Sequence, residues 1–60
     1  MKVREYRIVA GYTQAEIAIL LGITQSAYSM KEANKREFSI NELKILKEIL
    51  NVTYDELLNW

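Results

Sequence analysis

The apolar positions of this 60-residue chain follow helical spacing, and no segment alternates with period two. Four hydroxyl residues, Thr13, Thr24, Ser39 and Thr53, each have an apolar or aromatic residue just before them and another four positions after. These pairs are Tyr12 with Ile17, Ile23 with Tyr28, Phe38 with Leu43, and Val52 with Leu57. A hydroxyl that can accept from the free amides of a first turn, clasped by two flanking apolar side chains, is an N-cap with a hydrophobic staple. Glu16, Glu42 and Glu56 stand three residues after three of the caps, which completes capping boxes and sets negative charge at the helix starts. Helices are therefore predicted to begin near 14, 25, 40 and 54. A further helix over roughly 2 to 10 follows from Val3, Tyr6 and Ala10 sharing one face, with Gly11 available to end it. The pattern predicts an all-α fold of five short helices.

Gly22 lies two residues before the Thr24 cap, so the second and third helices are joined by a very short turn in which glycine can take a positive φ. Ala18, one turn earlier, lets the two helices approach closely. That is helix-turn-helix geometry, although short helices and a glycine turn also occur in many other small α domains.

Composition narrows the function more than the fold. Sixty residues make one small domain, residues 1–60, with no room for a separate sensor or catalytic module. With no cysteine and no histidine there is no disulfide, thiol nucleophile, imidazole base or usual zinc site, and no Gly-rich phosphate loop is present. Glu42 and Glu56 read as capping acids and not as a catalytic pair, so neither enzyme activity nor a cofactor or metal is expected. A core this small is marginal alone, and self-association would add buried area. No apolar run approaches the roughly 18 residues of a membrane span, and Met1-Lys2-Val3-Arg4 leads into charge, so a cytoplasmic location is expected. The formal net charge of zero hides an asymmetry. Residues 1–36 carry six bases (Lys2, Arg4, Arg7, Lys31, Lys35, Arg36) against three acids, a balance of +3, and the remainder carries −3. One surface can then dock on phosphates while the other stays in solvent.

The string Thr13-Gln14-Ala15-Glu16-Ile17-Ala18, followed by Gly22-Ile23-Thr24 and by Ser29 through Glu32, resembles the helix-turn-helix family of Cro and the phage repressors, the xenobiotic response element type. Val3, Tyr6, Arg7 and Gly11 before it, and Leu43, Leu46, Leu50, Val52 and Asp55-Glu56-Leu57-Leu58 after it, extend the likeness over nearly the whole chain. The resemblance implies a lambda-repressor-like DNA-binding domain. Departures are Lys31 at a place usually apolar, Asn34 at one usually glycine, and Ile8, Val9, Ile19 and Leu20 at places usually polar. Asn tolerates the left-handed conformation, so the turn after the third helix is expected to survive.

In this motif the third helix lies in the major groove and the helix before it crosses the backbone. That assigns base reading to Gln25, Ser26, Ser29 and Met30, which at 100° per residue point away from Tyr28 in the expected core. Phosphate anchoring falls to Gln14, Thr24, Lys35 and Arg36. Arg7 is expected to pair internally with Glu32 rather than meet a phosphate. The remaining core positions are Tyr6, Ile17, Ala18, Leu21, Ile23, Leu43, Leu46, Leu50 and Leu57, with the Lys31 stem laid over them and its amine kept wet.

The function expected from these residues is a sequence-specific transcriptional regulator, a repressor rather than an activator, binding a two-fold double-stranded DNA operator as a homodimer. Leu58 and Trp60 are the expected dimer contacts, with Ile45 and Ile49 on the outer side of the fourth helix as secondary ones. The alternative is an antitoxin-like or other protein-interaction module whose main partner is a protein. Ile8, Val9, Ile19 and Leu20, expected to be exposed on helices 1 and 2, would form its partner site.

Overall fold

A computed structural model describes residues 1–58 of the chain. Five helices follow one another: α1 (Val3–Ala10), α2 (Gln14–Leu21), α3 (Gln25–Glu32), α4 (Ile40–Leu50) and α5 (Tyr54–Leu58), with no strand among the described residues. The all-α expectation and every helix start are borne out.

The starts form as their chemistry requires. Thr13 accepts from the Glu16 amide and its own amide donates to the Glu16 carboxylate, and Ser39 with Glu42 and Thr53 with Glu56 do the same. Thr24, with Ala27 in place of an acid, caps α3 through a single bond from the Ala27 amide. Lys2 supplies no side-chain cap for α1; its amide instead donates to the Leu57 carbonyl at 3.0 Å, fastening the start of the chain to α5.

Three of the four connections are built alike. Gly11, Gly22 and Asn51 take left-handed φ of 84°, 73° and 54°. The residue after each donates its amide back into the helix just ended: Tyr12 to Arg7, Ile23 to Ala18 and Val52 to Lys47. A threonine cap then starts the next helix. One apolar residue thus closes one helix and staples the next, and a three-residue connector suffices. Asn51 does by tolerance of φ > 0 what glycine does elsewhere, a role its place in Asn51-Val52-Thr53 signals once the Gly-apolar-Thr pattern is noticed. The connection from α3 to α4 alone is long, residues 33–39. Asn34, at φ 63°, opens it as the sequence led us to expect.

Val3, Ile17, Ala18, Leu21, Tyr28, Leu46, Leu50 and Leu57 form one buried cluster. Burying each large aliphatic side chain in it contributes about 1.5 to 3 kcal/mol. All eight staple residues are either in this cluster or packed against it, as are Tyr6 and Met1. Ile45 and Ile49, expected on the outer side of α4, are half-buried against the same core. Ala10, expected on the inner face of α1, is exposed; half-buried Arg7 lies on that side with Val3 and Tyr6.

Lys31 corrects another expectation. Its amine is not wet: Nζ donates to both Glu42 carboxylate oxygens, at 2.6 and 2.7 Å, and the two side chains are only 12% and 11% exposed. The pair ties the last turn of α3 to the capping box of α4, where Glu42 also accepts from the Ser39 amide. Two buried charges satisfy each other there, so no unpaired ion is left among apolar neighbours. Removing the cation strands the carboxylate, and Lys31→Ala should lower unfolding free energy by about 1 to 3 kcal/mol in urea titration. An unchanged midpoint would show that Glu42 needs only its cap.

Candidate nucleic-acid interface

The α3 surface divides along its length. Tyr28 is fully buried, whereas Gln25 and Ser26 are exposed, Met30 is 41% exposed and Ser29 half-buried. At about 100° per residue, Ser26 and Met30 stand about 160° from buried Tyr28, whereas Gln25 is exposed because it heads the helix, and the first turn carries no acidic side chain. The result is a convex face of an amide, two hydroxyls and a thioether, chemistry able to meet base edges and thymine methyls. Thr24, one of the expected phosphate contacts, is exposed with its hydroxyl occupied as the α3 cap. Lys35 and Arg36 lie exposed in the long α3–α4 connection. Lys35 is positioned by its own amide, which donates to the Met30 carbonyl at 2.9 Å.

What holds α3 in place is the Glu32 carboxylate. Arg7 Nε donates to Oε2 at 2.8 Å and Arg7 Nη2 to Oε1 at 3.2 Å. Gln14 Nε2 donates to Oε1 at 2.9 Å, and the Tyr28 hydroxyl donates to Oε2. Arg7 Nη1 continues the network to the Tyr12 carbonyl at 2.8 Å. The Arg7 and Glu32 side chains are 11% and 3% exposed, so Arg7 is a structural partner inside the domain, as expected. Gln14 has two faces in this arrangement. It heads α2 at half-burial, where a phosphate contact was expected, and one amide hydrogen is already committed to Glu32. The Gln14 and Tyr28 bonds escaped the sequence reading. Tyr28 could have been found, since it stands one helical turn before Glu32; Gln14 is eighteen residues away and carried no local signal.

Burial pushes the Glu32 carboxyl upward, but the bonds from Arg7, Tyr28 and Gln14 outweigh it and hold the group below the ordinary glutamate range. Glu42 follows the same course: burial raises it, and Lys31 with the Ser39 amide brings it down. Burial, followed by the bond to Glu32, pushes the Tyr28 phenol well above its usual value. Glu32 and Glu42 are thereby each paired with one base inside the domain. Among the described residues, Lys35 and Arg36 have no ion-pair partner.

A capped α2, a left-handed glycine turn, and an α3 anchored from within but displaying polar side chains define a helix-turn-helix unit. The family model described as helix-turn-helix matches residues 3–57, and the chain belongs to that family, the Cro/C1 type of DNA-binding regulatory domain. No curated protein and no solved structure matches the chain. Among the described residues no group of acids could hold a metal ion, and no helix is long and apolar enough to cross a membrane.

Arg7→Ala would leave the Glu32 charge buried with only a phenol and an amide for partners, at a cost of about 3 to 5 kcal/mol out of the roughly 5 to 15 that hold small domains. The variant should be largely unfolded by circular dichroism. A wild-type melting curve with loss only of DNA affinity would make Arg7 a phosphate ligand. The lowered acids also set the acid limb. Stability from a carboxyl depressed in the folded state is present above its unfolded value near pH 4.3 and is lost as pH falls through the lower folded value. Melting temperature should therefore drop below about pH 4, and Glu32→Gln, already lacking the charge, should show a shallower drop.

Proposed function

We propose that the domain is a sequence-specific transcriptional repressor that binds a two-fold operator as a homodimer, with α3 in the major groove. The observation that carries this reading is the division of α3, with Tyr28 fully buried while Gln25 and Ser26 stand in solvent. Gln25 pairs with adenine through N6 and N7, Ser26 and Ser29 donate or accept, and Met30 packs on a thymine methyl. Gln14 uses its second amide hydrogen, and Thr24, Lys35 and Arg36 their amides or charges, on the flanking phosphates.

Two reading helices one turn of DNA apart, about 34 to 36 Å, need an interface away from α3. Leu58, 44% exposed, and Tyr54, 39% exposed, offer apolar surface on α5 for that contact. Trp60, the other expected contact, lies outside the described residues.

One observation favours a second reading, a module whose main partner is a protein. Ile8, Val9, Ile19 and Leu20 are 54%, 85%, 78% and 46% exposed on α1 and α2. Surface that apolar suits a protein partner, and both roles can coexist because these residues lie outside α3.

Gln25→Ala should weaken operator binding roughly 5- to 150-fold and leave random-sequence binding and melting temperature nearly unchanged, as removal of a bidentate base contact does. Equal losses on both duplexes, measured by fluorescence anisotropy, would contradict base reading. Sedimentation equilibrium tests the interface: Leu58→Ala with Trp60→Ala should shift dimer to monomer and remove cooperative operator binding. If wild type and variant sediment and bind alike, the dimer forms elsewhere.

A further inference from the structure

The long α3–α4 connection is fixed at both ends and free in its middle. Asn34 and Lys35 donate their amides back to Lys31 and Met30, while the Lys31–Glu42 pair and the Ser39 capping box secure the far end. Between these anchors, Arg36 and Glu37 are exposed, and among the described residues neither has a hydrogen-bond or ion-pair partner. Both line a half-open cavity of about 340 Å³ whose other walls are Met1, Asn34, Phe38 and Leu43. The Phe38 ring is held from behind by Tyr28, at 6.0 Å between centroids. The connection thus presents an exposed cation and an exposed anion, adjacent in sequence, at an apolar recess within the size range of small-ligand sites, roughly 300 to 1,000 Å³.

We propose that this cavity binds a free apolar amino acid and that occupancy weakens DNA binding. The charge pattern selects the ligand class. A simple carboxylate would meet Arg36 but be repelled by Glu37, and a simple amine the reverse; a zwitterion satisfies both. Its side chain then covers Met1, Phe38 and Leu43, surface that is otherwise wet. Arg36 is shared between this site and the phosphate contact assigned to it above. A ligand carboxylate that engages the guanidinium withdraws it from DNA, and linkage requires that DNA in turn lower the affinity for the amino acid. This regulatory half rests on the DNA-binding reading, whereas the binding site does not.

The experiment keeps the two apart. Amide shifts of the full chain, without DNA, are followed during titration with L-phenylalanine, with 3-phenylpropionate, which lacks the ammonium, and with 2-phenylethylamine, which lacks the carboxylate. Saturable shifts confined to Asn34–Leu43 and Met1, with a Kd about millimolar for L-phenylalanine and roughly tenfold or more weaker for either analogue, are expected. Arg36→Gln should abolish the preference over the amine, and Glu37→Gln the preference over the carboxylate. No saturation by L-phenylalanine, or equal affinity for all three probes, overturns the site. In the second arm, saturating L-phenylalanine should weaken operator binding of wild type by roughly fivefold or more, and the same concentration of 2-phenylethylamine, which has no carboxylate to engage Arg36, should leave it unchanged. Unchanged operator affinity with the ligand bound overturns the regulatory half alone.

Discussion

The Glu32 carboxylate is the junction on which the rest of the domain depends. It is nearly inaccessible, yet it is charged, and a buried charge is tolerated only when its lone pairs are taken. Arg7 of α1, Gln14 of α2 and Tyr28 of α3 take them, so one functional group fixes three helices relative to one another. The consequence for function is orientation. A helix that reads a groove must present its outer side chains in one register, and α3 is bound at its buried face by a ring of charge-assisted bonds in addition to apolar contact, which is less directional. The Lys31–Glu42 pair does for the junction of α3 with α4 what Glu32 does for the junctions with α1 and α2.

This arrangement also reconciles a net charge of zero with a nucleic-acid partner. Two of the acids that would oppose phosphate near α3, Glu32 and Glu42, are consumed by Arg7 and Lys31 within the domain. Exposed Lys35 and Arg36 keep their charge for the surface. Each of these pairs is neutral and leaves the balance of the surface unchanged; what the bulk composition hides is the uneven spread of bases and acids along the chain.

Local chemistry made the helices legible in the sequence. A threonine or serine cap and its staple lie within six residues, with a glutamate three residues on in three of the four, and all four starts were readable from the chain. The Arg7–Glu32 pair was readable only through the family resemblance, because twenty-five residues separate the partners. Lys31 with Glu42 ran against that resemblance, which places an apolar residue at 31, and neither spacing nor propensity says that a lysine amine turns inward. Gln14 shows the same limit: its place at the head of α2 suggested an outward role, and its bond to Glu32 becomes visible only once α2 and α3 are packed. Likewise Ile45 and Ile49, assigned outward from helical phase alone, were drawn against the core by the way α4 lies on its neighbours. Exposure of Ile8, Val9, Ile19 and Leu20 was legible from helical phase because, unlike at Ile45 and Ile49, no neighbouring element covers those faces.

As proposed, α3, held by Glu32, reads duplex sequence as one half of a two-fold assembly. Selection of bound duplexes from a random pool by the full chain tests it most directly. The expected result is enrichment of an inverted repeat whose half-sites are centred about one helical turn apart, with adenine at a fixed place in each half opposite Gln25. Recovery of sequences no different from the starting pool, with binding that salt abolishes equally on every duplex, would contradict it.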